Sequence, residues 1–192
     1  MIRARNLSKR FGEKRVLDGM SLDVGAGGFL LVTGPNGSGK TTLLRILARL
    51  AAPTRGEVEL PPREVVGYLA HEPLVYRELT AAENLTLFGR LYRVSEHGER
   101  IGMLLERFGL WDARHERVAT FSRGMQQRLA LCRVLLHDPE LLVLDEPYNA
   151  LDTDGVQLLD RALEELRGRT FVVATHEPMR VDRLATDRLA LA

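Results

Sequence analysis

The run Gly34-Pro35-Asn36-Gly37-Ser38-Gly39-Lys40-Thr41 restricts this chain more than any other feature. It fits the phosphate-loop pattern of a glycine, any four residues, glycine, lysine and threonine. A glycine-rich turn with a chance lysine is the bland alternative, and the flanks argue against it. Phe29-Leu30-Leu31-Val32 precedes the loop as an unbroken apolar run, as a strand buried on both faces requires. Residues 40–50 read as a helix running out. The glycines let the backbone fold around one point, so that successive N–H groups aim inward. The helix adds its positive N-terminal end. Lys40 brings a compact charge to the terminal phosphates, and the Thr41 hydroxyl is placed to bind Mg²⁺. Gly34, Pro35, Asn36, Gly37, Ser38, Gly39, Lys40, Thr41 and Thr42 are the expected nucleotide-binding set. The 27 basic residues include only three lysines, Lys9, Lys14 and Lys40. Where arginine is the habitual base, a lysine in the loop reads as one that arginine could not replace.

A second acidic element follows the same logic. Leu141-Leu142-Val143-Leu144-Asp145-Glu146-Pro147 is a buried-type strand ending in two carboxylates. Adjacent acids at a strand end are costly without a cation and water to use them. Asp145 is placed to hold Mg²⁺, and Glu146 to polarise a water attacking a terminal phosphate. The bland alternative is a strand followed by a solvated acidic turn, and the phosphate loop weighs against it.

Between and around these motifs the chain changes character twice. Residues 2–6, 20–24, 29–33, 58–60 and 65–69 read as strands, the first three set apart by turn-prone glycines. From 71 to 137 the pattern becomes helical. Thr80-Ala81-Ala82-Glu83 is a capping box opening a helix toward Leu91. Ile101, Leu104, Leu105 and Phe108 share one face of a second helix, and a third spans about 123–136. Strands return at 141–144 and 171–174 with a helix between them at 153–167. The expected architecture is α/β: a core of about 1–70 and 138–192 interrupted by a helical subdomain at about 71–137.

Composition mainly excludes. The 192 residues, 45% of them hydrophobic, suit one compact domain with a small lobe. A net charge of +1 leaves no footprint for nucleic acid. The single cysteine, Cys132, rules out an internal disulfide, so a reducing cytosol is expected. No run approaches the roughly 20 apolar residues of a membrane span, and Met1-Ile2-Arg3 opens no secretory signal. Any membrane spans must come from another chain. Trp111 and Cys132 read as packing residues.

With Ser122-Arg123-Gly124-Met125-Gln126 just upstream of the acidic strand, the motif order resembles the nucleotide-binding domain of ABC ATPases over nearly the whole chain. That pentapeptide is similar to the family's signature, usually LSGGQ. Asn149-Ala150-Leu151-Asp152 resembles the D-loop, His176 the switch histidine, and Phe11 the aromatic that stacks on adenine. The resemblance implies a P-loop core of ABC type with ATP and Mg²⁺ as ligands. It implies two chains associating head to tail, each ATP meeting the phosphate loop of one and Ser122, Gly124, Gln126 and Asp152 of the other. It implies Glu146, His176 and Lys40 as the catalytic set, and a peripheral place for this chain on the cytoplasmic side of the cell membrane beside a separate transmembrane permease. The groove for that permease would be lined by residues near 73–79 and the helical subdomain, with Arg77 and Glu78 either contact charges or part of a solvated loop.

Two positions depart from the family pattern. Arg123 and Met125 replace commoner small residues in the signature. His71 stands where the Q-loop glutamine is expected, which gives it as a substitute close to Mg²⁺. The segment around His71, with Thr80-Ala81-Ala82-Glu83-Asn84-Leu85, resembles the ATPase of the bacterial haem exporter of cytochrome c maturation. That resemblance implies haem export. The alternatives are an exporter of a drug, lipid or polysaccharide and, ranked last, a soluble ABC ATPase acting on ribosomes or DNA. The chain's end soon after Leu191 leads to no expectation of a C-terminal regulatory domain.

Overall fold

A computed structural model describes residues 1–192. Along the chain run β1 (Ile2–Phe11), β2 (Lys14–Val24), β3 (Phe29–Thr33), α1 (Lys40–Leu47), β4 (Arg55–Glu59), β5 (Val66–Leu69), α2 (Ala81–Leu91), α3 (His97–Arg107), α4 (Arg123–Leu135), β6 (Leu141–Asp145), α5 (Thr153–Glu165), β7 (Thr170–Ala174) and β8 (Asp187–Ala190). Two compact units emerge. One comprises Met1–Tyr68, Glu140–Pro147 and Gly168–Ala192; the other comprises Leu69–Pro139 and Tyr148–Arg167. The expected division placed the helix after the acidic strand in the core. The structure groups that helix, α5, with the helical unit, where Arg107 pairs with Glu165 at 2.7 Å.

The first unit holds two sheets. β2, β1 and β4 form an antiparallel sheet in that order, and the second sheet runs β5-β6-β7-β3-β8. In the second, β3 lies between β7 and β8, parallel to both, and β6 is parallel to β7. Strands β3, β6 and β7 are apolar almost throughout because both of their faces are covered. Ile2, Leu7, Leu17, Leu43, Leu47 and Val143 belong to one buried cluster that joins both sheets to α1.

The register of this sheet positions the chemistry. Val32 pairs with Ala174, and Ala174 pairs with Asp145. The C-terminal ends of β3, β7 and β6 therefore finish level, side by side. The phosphate loop leaves β3, Glu146 follows β6, and His176 follows β7. Open parallel sheets bind ligands at this carboxyl edge.

β1 and β2 extend well beyond the five-residue strands expected. Gly12 sits in their connecting turn with φ +55°, whereas Gly19 lies inside β2 at φ +61°. The backbone N–H of Gly19 donates to Ser8 Oγ at 2.8 Å where the register shifts, so this glycine marks a bulge and not a strand end. β8, with its two charged residues and exposed flank, carried no strand pattern in the sequence.

In the helical unit the capping box forms as expected. Thr80 Oγ1 accepts from the Glu83 N–H at 3.1 Å, and Glu83 Oε2 accepts from the Thr80 N–H at 2.8 Å. These bonds hold the Glu83 carboxyl below its usual range. Asn84, fully buried, ties the preceding loop to α2. Its Oδ1 accepts from Tyr76 N–H at 2.8 Å, and its amide donates to the carbonyls of Tyr76 and Thr80, each at 2.9 Å. Cys132 is a packing residue, its thiol pushed up by burial. Trp111 is not: it is 39% exposed, with the Arg114 guanidinium 4.0 Å over its ring.

Candidate nucleotide site

The loop between β3 and α1 has the backbone a phosphate cradle needs. Gly34, Gly37 and Gly39 adopt φ of +146°, +84° and +100°, where side chains are disfavoured. A Cβ on Gly34 would lie 2.5 Å from the Leu191 carbonyl oxygen, and one on Gly39 would lie 3.0 Å from that of Val16. Lys40 is buried and turned back over the loop, where its Nζ donates to the carbonyls of Gly34 at 2.7 Å and Pro35 at 3.0 Å. Ser38 Oγ is buried without a hydrogen-bond partner. An orphaned hydroxyl, a glycine-lined backbone and an ammonium at its mouth fit the phosphates of a nucleotide. Pro35, Asn36 and Gly37 form the exposed rim, and Thr42 lies one residue beyond Thr41 in the first turn of α1.

The ends of β6 and β7 meet this loop's neighbourhood with three polar groups. Thr41 Oγ1 donates to Asp145 Oδ2 at 2.7 Å, and Asp145 is only 2% exposed. A hydroxyl paired with a buried carboxylate is a hard-oxygen donor set that suits Mg²⁺ beside phosphate oxygens. No group of three or more His, Cys, Asp or Glu side chains forms a metal cluster anywhere in the chain, so the remaining ligands would be phosphate and water. Tyr68, which sequence reasoning passed over, approaches from β5. Burial raises its pKa first and the Asp145 charge second, with Arg45 opposing the rise.

Glu146 stands in a left-handed backbone conformation, φ +51°, just before a proline. Such a conformation costs a non-glycine residue about 1–3 kcal/mol. The local bonds that hold it are explicit. Its N–H donates to the Ala174 carbonyl at 2.8 Å. Its Oε2 accepts from the His176 backbone N–H at 3.1 Å and lies 2.8 Å from His176 Nδ1. A carboxylate can only accept, so in this contact Nδ1 is the donor. Oε1 makes no hydrogen bond within the chain.

Phe11 closes β1 with 57% of its surface exposed. The same hairpin presents Val16 against Gly39 of the phosphate loop, so the aromatic ring belongs to the same end of the unit. Sequence reasoning missed Lys9 beside it. The signal was available, because residues two apart on a strand share a face.

In the helical unit the signature residues occupy the start of α4. Ser122 is its N-cap, accepting from Met125 N–H at 3.2 Å, and Gln126 Nε2 donates to the Phe121 carbonyl at 3.1 Å. Gly124 packs directly on the D-loop: a Cβ there would lie 2.9 Å from the Ala150 carbonyl oxygen, and Ala150 itself is left-handed at φ +61°. Asp152 caps α5, its Oδ1 accepting from Gly155 N–H at 2.8 Å. His71 is exposed in the loop following β5 and makes no hydrogen bond. Its assignment to Mg²⁺ rests on resemblance alone.

A glycine-cradled loop beside a hydroxyl–carboxylate pair, at the carboxyl edge of a parallel sheet, defines a P-loop nucleotide-binding fold. The finer class comes from comparison. The profile of the ABC transporter family matches residues 17–149, and the chain belongs to that family. It is 39% identical over 184 residues to the ABC transporter ATP-binding protein YxlF of Bacillus subtilis, with 92% of this chain covered. It is 34% identical to the lantibiotic transport ATP-binding protein SrtF of Streptococcus pyogenes over 96% of the chain and 84% of that protein. It is 38% identical to the daunorubicin resistance ATP-binding protein DrrA3 of Streptomyces coeruleorubidus over 95% of the chain and 62% of that protein. The chain spans 62% of the length of YxlF as well. Among solved structures, the ATP-binding subunit of an ABC transporter superposes with a TM-score of 0.91 at 26% identity, covering 100% of this chain and 85% of that one. A dimeric ATP-binding cassette in a post-hydrolysis state with ADP and Pi superposes with a TM-score of 0.85 at 31% identity, covering 100% and 94%. No helix of the chain is long and apolar enough to cross a membrane.

Proposed function

We propose that this chain hydrolyses ATP as one of a pair of cassettes that drive an exporter whose membrane spans lie in a separate permease. The observation that carries the reading is the shared level of β3, β7 and β6, which gathers Lys40, Asp145, Glu146 and His176 at one edge. Glu146 Oε1 takes the proton of the attacking water. The water oxygen bonds to the γ-phosphorus as the bond to the β–γ bridging oxygen breaks, and ADP leaves with that oxygen. His176 holds Oε2, so the carboxylate keeps one oxygen for the water, and its Nε2 stays available to the phosphate side. Lys40 neutralises the terminal phosphates. Mg²⁺ held by Thr41 and Asp145 would neutralise charge on the β- and γ-oxygens.

The dimeric cassette among the structural relatives supports pairing of two copies. Ser122, Gly124, Gln126 and Asp152 would serve the nucleotide of the facing copy. A partner in the membrane is supported by the helical unit's surface. Tyr76, Phe88 and Tyr92 follow one another as tilted ring pairs with centroids 6.0 and 5.9 Å apart, and Leu74, Tyr76 and Leu91 are each more than half exposed. Apolar rings at a surface mark a contact face.

For the cargo, the relatives favour an amphipathic small molecule or peptide over haem. They are named for lantibiotic transport, daunorubicin resistance and Nod factor export, and none of these names supports cytochrome c biogenesis. The test is to tag the Glu146→Gln chain, recover it from native membranes with Mg-ATP and identify its companions by mass spectrometry. A drug- or peptide-type permease is the expected companion. Cytochrome c maturation proteins would restore haem, and ribosomal or DNA-bound proteins without a permease would end the transporter reading.

A further inference from the structure

Phenylalanine is an incomplete tool for binding a base. It has no hydroxyl or ring N–H with which the protein can fix its plane, and at an exposed strand end its ring is free to turn. The structure supplies what it lacks. Lys9 and Phe11 lie two residues apart on one face of β1. The Lys9 ammonium sits over the ring, 5.0 Å from its centroid. It is not a drifting surface charge, because Nζ also donates to the Ala52 carbonyl at 2.7 Å. Lys9 is half-buried, and the nearby Glu13 is engaged by Arg10 at 3.4 Å. Lys14 is the cross-strand partner of Phe11 and stands exposed without a ring contact.

We propose that Lys9 is a positioning residue for base recognition: tethered to Ala52, it fixes one face of Phe11 and leaves the other to stack on a purine. This deepens the reading of Phe11 as the adenine platform and rests on it. A cation on one face draws π-density toward itself, so the opposite face becomes a better partner for an electron-rich purine. It also holds the ring in one orientation before the base arrives, which lowers the cost of ordering on binding. The lysine therefore acts on the nucleobase through Phe11 and has no part in holding phosphate.

The test separates base from phosphate. Calorimetric Kd values for ATP and for inorganic tripolyphosphate are measured on the full chain and expressed as a ratio. Lys9→Met is expected to lower the preference for ATP by about fivefold, with tripolyphosphate binding unchanged, which also reports an intact fold. Lys9→Arg, which keeps a cation and a donor, retains most of the preference, and Lys14→Met leaves it intact. If Phe11→Ala abolishes the preference while Lys9→Met leaves it whole, the role of Lys9 is overturned and the platform stands. If Lys9→Met weakens both ligands equally, Lys9 serves the phosphates and the proposal fails. If Phe11→Ala itself changes nothing, the platform fails and Lys9 with it.

Discussion

The candidate residues of the α/β unit face one another, whereas those of the helical unit face their own backbone. In the first, Thr41 meets Asp145 at 2.7 Å and His176 meets Glu146 at 2.8 Å, across segments far apart in sequence. In the second, Ser122 is bonded to Met125, Gln126 to Phe121, and Asp152 to Gly155, all within a few residues. The α/β unit thus brings together a carboxylate placed as a base, a hydroxyl–carboxylate pair and a lysine-capped backbone cradle. The helical unit offers a helix N-terminus and capped polar groups, with no base or metal-binding pair of its own. Such a surface is suited to completing a site supplied by another molecule, and the pairing of two cassettes proposed above would give it one.

Matched glycine substitutions press hardest on this contrast. Gly34→Ala places a Cβ 2.5 Å from a backbone oxygen and 2.7 Å from Ser38 Oγ, in a conformation alanine avoids. Strain and clash together exceed about 3 kcal/mol, so ATP affinity is expected to fall at least about a hundredfold in equilibrium binding. Gly124→Ala puts a Cβ 2.9 Å from the Ala150 carbonyl in the helical unit. The expected outcome is unchanged ATP binding by the single chain and turnover lowered about tenfold, the signature of an interaction made only in the assembled transition state. Loss of ATP binding in Gly124→Ala would dissolve the distinction between the two units.

A smaller effect sharpens the helical side. The Glu83 carboxyl is held low mainly by the Thr80 backbone N–H, with Arg117 and His115 adding less. A folded-state pKa below the unfolded one stabilises above the unfolded value and is lost as pH falls through the folded value. Glu83→Gln should therefore be slightly less stable than the parent at neutral pH, and the urea midpoints of the two should converge as pH falls below the usual carboxylate range. A gap that persists in acid would mean the glutamate acts through shape and not charge.

Much of this was legible in the sequence wherever a residue's role follows from its neighbours along the chain. The glycine spacing fixed the phosphate loop, and the Thr80–Glu83 spacing fixed a cap. The apolar runs at 29–32 and 141–144 identified buried strands. Less legible were the long β1–β2 hairpin, because Gly19 is a bulge and resembles a break, and β8, because an exposed edge strand needs no apolar alternation. Trp111 was misread because composition cannot tell a buried ring from one covered by an arginine.

What the sequence determined by itself is the list of reactive parts and the local geometry of each, since turns, caps and glycine conformations depend on a few adjacent residues. The tertiary structure alone decided which parts meet. The pairing of Val32 with Ala174 and of Ala174 with Asp145 brings His176 to Glu146, thirty residues away in sequence. The chain crossing that puts the Leu191 carbonyl against Gly34 explains why only glycine fits there. The ammonium of Lys9 over Phe11 likewise depends on Ala52, from another element, to hold it. Register and close approach are properties of segments packed together, and no single segment carries that information.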